Sequence, residues 1–121
     1  MNSKVRNLRI ASALIIAISS LTMVSCNNCK SEEPRSRIVN NGTAKASVQI
    51  WTTGGNTENI NNIEVGQTSD WRTFAPGLTN FTVSIQGEAD TVITTNMLTC
   101  FQYDINISAN NTVSAWSEDL Q

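Results

Sequence analysis

TNFTVSIQ, residues 79–86, sets Phe81, Val83 and Ile85 on one side of an extended chain and Asn80, Thr82 and Ser84 on the other. That strict alternation marks a strand with one buried face. The same period continues outward in both directions. AKASVQIW (44–51) alternates Ala46, Val48 and Ile50 against Ser47, Gln49 and Trp51. CFQYDINIS (100–108) puts Phe101, Tyr103, Ile105 and Ile107 on one face. TVITT (91–95) and TVSAW (112–116) are shorter runs rich in β-branched residues. Between them stand turn formers: NNG at 40–42, GG at 54–55, APG at 75–77, GEAD at 87–90 and ANN at 109–111.

After the N-terminal segment no stretch repeats apolar residues at helical spacing, and the abundant Thr and Asn are mediocre helix formers. The spacing predicts about seven or eight short strands. The expectation is an all-β domain over residues 37–121, a small antiparallel β-sandwich, since two sheets are the natural way to bury one face of each strand. The strand–APG–strand pattern resembles immunoglobulin-like and transthyretin-like extracellular modules. That likeness is one of architecture and implies no activity.

The N-terminus is of another kind. MNSKVRNLR carries Lys4, Arg6 and Arg9, and the fifteen residues IASALIIAISSLTMV (10–24) carry no charge. A membrane span needs about 20 such residues, whereas the apolar core of a secretory signal needs about 7–15. Residues 1–25 therefore read as a signal peptide. Cys26 ends this run behind the small Ser25, and MVSC (23–26) resembles the lipobox of bacterial lipoproteins, with Met23 in place of the usual Leu. The resemblance implies cleavage before Cys26 and a thioether from its sulfur to diacylglycerol. Two or three palmitate-like chains, at about 0.8 kcal/mol per buried methylene, hold a small protein on a bilayer. Residues 26–36 then read as a flexible tether. Within it Lys30, Ser31, Glu32 and Glu33 resemble the surface-export signal of Bacteroidota-type lipoproteins. That implies an outer-membrane, lipid-anchored protein on the cell surface; if KSEE is only a solvated tether, the periplasmic face is the alternative.

From Cys26 onward five basic residues stand against ten acidic ones, a net charge of −5. An acidic domain lacks the basic face that nucleic acid requires. With no histidine in the chain, Ser-His and Cys-His catalysis are excluded and a zinc site is poorly served. A Ser-Lys dyad would have to use Lys45, at the start of an ordinary strand. Glu88 and Asp90 could pair for glycoside hydrolysis, but GEAD reads more simply as a solvated hairpin loop, and calcium is conceivable at Glu88, Asp90 or Asp104 although nothing there matches a dedicated calcium loop. No enzyme activity, metal or cofactor is expected. Cys29 and Cys100 could pair in an oxidising compartment. The alternative, a free buried Cys100 and a spare Cys29, is favoured by the closeness of Cys29 to the lipid.

Trp51 shares parity with Ser47 and Gln49, and Trp116 with Thr112 and Ser114, so both indoles fall on polar faces. An outward indole can stack on a sugar ring or anchor a protein partner; a bulge or strand end that turned the ring inward would make it core instead. Trp71 and Phe74, in SDWRTFAPG, read as core or turn-packing residues. DTV (90–92) matches an O-glycosylation pattern of exported Bacteroidota-type proteins, with Thr91 as acceptor. The expected function is a membrane-anchored, non-catalytic binding or adhesion module for a glycan or protein. The alternative is a structural or accessory subunit of an envelope complex.

Overall fold

The computed structural model describes residues 29–121, so the signal segment and Cys26 lie outside the described residues. One compact unit runs from Lys30 to Leu120. It holds eight strands and, among the described residues, no helix: β1 (Arg35–Asn40), β2 (Ala46–Trp51), β3 (Thr57–Ile63), β4 (Arg72–Thr73), β5 (Gly77–Ile85), β6 (Thr91–Met97), β7 (Phe101–Ile107) and β8 (Val113–Asp119). They form a first sheet in the order β4-β1-β7-β8 and a second in the order β3-β2-β5-β6. The domain is an all-β sandwich.

The alternating residues make the core. Ala46, Val48 and Ile50 of β2, Phe81, Val83 and Ile85 of β5, and Tyr103, Ile105 and Ile107 of β7 are all buried. Ile38, Phe74 and Met97 complete the interior. Every strand pairing is antiparallel except β1 with β7, which run parallel in unbroken register from Arg35↔Gln102 to Asn40↔Ile107. β1 begins at Arg35 and Pro34 is fully buried, so the folded domain starts before residue 37 and the tether is correspondingly shorter. Cys29 and Cys100 are both disulfide-bonded, which corrects the expectation of a free Cys100 thiol.

Two polar devices fix the ends of the strands. Asn40 is fully buried, and its side chain donates to the carbonyls of Ile63 (2.8 Å) and Ala44 (3.0 Å) while accepting from the Gly42 N–H (2.9 Å). It thereby satisfies backbone groups that turn away from the sheets at this end of the domain. The hydroxyl of buried Tyr103 accepts from the Leu98 N–H (2.8 Å) and donates to the Asn96 carbonyl (3.3 Å). This is a tyrosine corner, which pins the crossing from β6 in one sheet to β7 in the other.

Candidate functional site

The outer face of the first sheet is built in rows across three strands. Arg35, Gln102 and Glu118 stand opposite one another, as do Arg37, Asp104 and Trp116, and then Val39, Asn106 and Ser114. Because β1 and β7 are parallel, their outward side chains advance together and each arginine meets its own partner. Arg37 Nε donates to Asp104 Oδ1 at 2.8 Å. Arg35 donates twice to Gln102 Oε1, at 3.0 and 2.6 Å, and Gln102 Nε2 donates onward to Glu118. The polar groups of this face are therefore held in place before any ligand arrives, which lowers the entropy cost of binding one.

Two indoles flank the rows. Trp116 is 68% exposed, and its Nε1–H donates to Ser114 Oγ (3.3 Å), fixing the ring on the outer face of β8. A groove of about 260 Å³ on one side of it is lined by Arg37, Gln102, Asp104 and Glu118. A second, of about 420 Å³, is bordered by Asn41, Asn106, Ser108 and Ser114. On the opposite flank, Trp71 lies beneath the guanidinium groups of Arg35 (4.8 Å to the ring centroid) and Arg37 (4.4 Å). Of the two residues expected as core or turn-packing, Phe74 enters the interior, while Trp71 is half-buried under arginines on the outer face. Strand spacing sets Arg37 and Trp116 about 10 Å apart, with Asp104 between them.

Trp51 is also outward, 47% exposed, with its Nε1–H donating to Gln49 Oε1 (3.2 Å). It stands on the second sheet, opposite Asn80 of β5. Trp51 and Trp116 therefore sit on outer faces of different sheets and cannot form one platform.

The remaining candidates do not gather. Lys30, Ser31, Glu32 and Glu33 are exposed, and the Glu32 carbonyl accepts from the Cys100 N–H (2.9 Å). Thr91 opens β6 opposite Val83, at the boundary between turn and strand, and is half-buried. Lys45 faces Glu64 at 3.7 Å, and Glu88 and Asp90 are exposed in the β5–β6 turn. No cluster of metal-ligating side chains occurs among the described residues.

Reading the sequence for indoles alone missed Arg35, Arg37, Gln102, Asp104 and Glu118. The outward parity of the first four was available in RSR and FQYDINI, and that of Glu118 in VSAWSED, but the pairings that align them leave no local mark.

No family model and no curated protein matches the chain. Among solved structures, the fold is similar to the NMR structure of a protein from Eubacterium rectale, with a TM-score of 0.55 and 14% identity, covering 73% of this chain and 90% of that one. At that identity the likeness is one of fold.

Proposed function

We propose that this chain is a lipid-anchored envelope protein whose sandwich serves as a non-catalytic binding module for a glycan, held on the outer face of the first sheet. The observation that carries the reading is Trp116, an exposed indole fixed beside a pre-ordered row of guanidinium, carboxylate and amide groups. One face of a pyranose is lined by C–H groups and stacks on an aromatic ring, while its hydroxyls need donors and acceptors at fixed positions. Trp116 supplies the first. Asp104, Gln102, Asn106 and Ser114 supply the second on both sides of the ring. The anchor is Cys26, and KSEE directs the domain to the cell surface.

The test is an array of polysaccharides probed with the wild-type chain and with Trp116→Ala. Retention of one or more polysaccharides by the wild type, lost in the variant, is expected. Retention by neither protein contradicts the reading. The second reading, an accessory subunit in an envelope assembly, is supported by one feature, the open edge of β6.

A further inference from the structure

The first described residues are fastened to one end of the sandwich. The chain has three cysteines, so Cys29 and Cys100, both disulfide-bonded, can only be bonded to each other. Three residues on, the Glu32 carbonyl accepts from the Cys100 N–H (2.9 Å), and the carbonyl of fully buried Pro34 accepts from the Phe74 N–H (3.0 Å). Most of the stretch expected as a tether is therefore clasped to the domain. Cys26 lies three residues before Cys29. Three residues span at most about 11 Å, whatever their conformation. A lipid on Cys26 thus holds the Cys100 end of the sandwich at the bilayer.

That end also carries exposed apolar side chains. Trp51 ends β2, Leu78 (64% exposed) is the second residue of β5, and Leu98 (46%) follows β6, two residues before Cys100. They are three of the six large apolar side chains exposed among the described residues. Trp51 stands opposite Asn80, and Leu78 opposite Asn96. Leu78 is two residues from Asn80 and Leu98 two from Asn96, so each is a diagonal neighbour of the next, about 7–8 Å away. The three form a stripe from the outer face of the second sheet down to the clasp.

We propose that Trp51, Leu78 and Leu98 are the surface on which the domain rests on its own bilayer, with these side chains in the headgroup layer. The inference rests on the lipid reading of Cys26 and adds an orientation to it. An indole suits that layer, where its carbon surface leaves water and its N–H keeps a polar partner. Trp51 brings such a partner in Gln49. Charge agrees with the tilt. Asn80, Thr94 and Asn96, beside the stripe, are uncharged. Glu118 and Asp119, the acids at the same end, belong to β8 in the first sheet. Resting on the outer face of the second sheet leaves them one sheet spacing, about 10 Å, further into water. Lys30, exposed beside Cys29, reaches headgroup phosphates, while Glu32 and Glu33 lead away into β1 of the first sheet. In this pose the face that carries Trp116 turns away from the lipid.

Tryptophan emission of the full lipidated chain in phosphatidylcholine vesicles tests the proposal, with bromine on the lipid acyl chains as a short-range quencher. The wild type is expected to be quenched. Trp51→Phe is expected to lose that quenching and Trp116→Phe to keep it. Leu78→Glu, a surface change, should stay on the vesicles through its lipid yet lose the quenching. Co-sedimentation with the vesicles separates the two readings. A chain that does not sediment with them contradicts the lipid reading, and the orientation falls with it. A bound wild type that is not quenched, a Trp51→Phe variant quenched as before, or a Leu78→Glu variant quenched as strongly as the wild type overturns the orientation alone.

Discussion

A side chain's worth in this domain depends on which face of its strand it occupies. Trp116 is outward and makes little packing, so its replacement by Ala should cost less than about 0.5 kcal/mol, whereas that of Trp51, outward but with about half of its surface covered, should cost about 1 kcal/mol. Trp71 is different, because two guanidinium groups lie over its ring. At roughly 0.5–1 kcal/mol per cation–π contact, Trp71→Ala should cost about 1–2 kcal/mol. Phe81→Ala, which empties a fully buried site, should cost about 3–5 kcal/mol. Urea denaturation midpoints rank the four. A Trp71 variant as damaged as the Phe81 variant would put the indole in the core after all. Asn40 gives a second ranking. Asn40→Ala leaves the buried Ile63 carbonyl without its donor, at a cost of about 1–3 kcal/mol. Asn40→Asp should be worse, since it sets a carboxylate against the same carbonyls. Equal midpoints for the two would show that the amide donors are not what holds this corner.

Among the elements, the crossing between β6 and β7 is held by the Tyr103 hydroxyl. Tyr103→Phe keeps the ring and removes the acceptor of the Leu98 N–H, so the expected cost is about 1–3 kcal/mol with no change in the urea m-value. A variant as stable as wild type would mean that water replaces the hydroxyl there. The strands themselves were readable wherever one face alternates, as in β2, β5 and β7. β3 was not, because NINNI places its two buried residues, Ile60 and Ile63, three apart. The structure reconciles them with an irregular register against Ala46–Val48 and a positive φ of 58° at Asn62, whose N–H donates to Ser47 Oγ (3.2 Å). Alternation cannot announce such a residue in advance. β4 is two residues long, below the length at which any period shows. Parity placed Trp51 and Trp116 outward correctly, yet it cannot say which sheet a strand joins. Their separation onto different faces, and the meeting of Trp71 with Arg35 and Arg37, depend on pairings between residues distant in sequence.

On the scale of the whole molecule the two outer faces differ in chemistry. The first sheet carries Arg35, Arg37, Asp104 and Glu118 in fixed rows, and the second carries Trp51 among uncharged Gln49, Asn80, Thr82 and Thr94. The lipid reading has its own test. Cys26→Ala should leave the chain unlipidated, either uncleaved or soluble, while Cys29→Ala should stay membrane-bound with its lipid. Mass spectrometry that finds an unmodified Cys26 in membrane-bound protein would end that reading. The central claim concerns the first sheet, and it is tested most directly through the side-chain N–H signals of the chain's three tryptophans in an NMR titration. The probe is whichever polysaccharide the array retains. The account predicts that the Trp116 signal moves on addition of that polysaccharide, followed by that of Trp71, while the Trp51 signal stays in place. Movement of the Trp51 signal alone, with Trp116 unchanged, would contradict it.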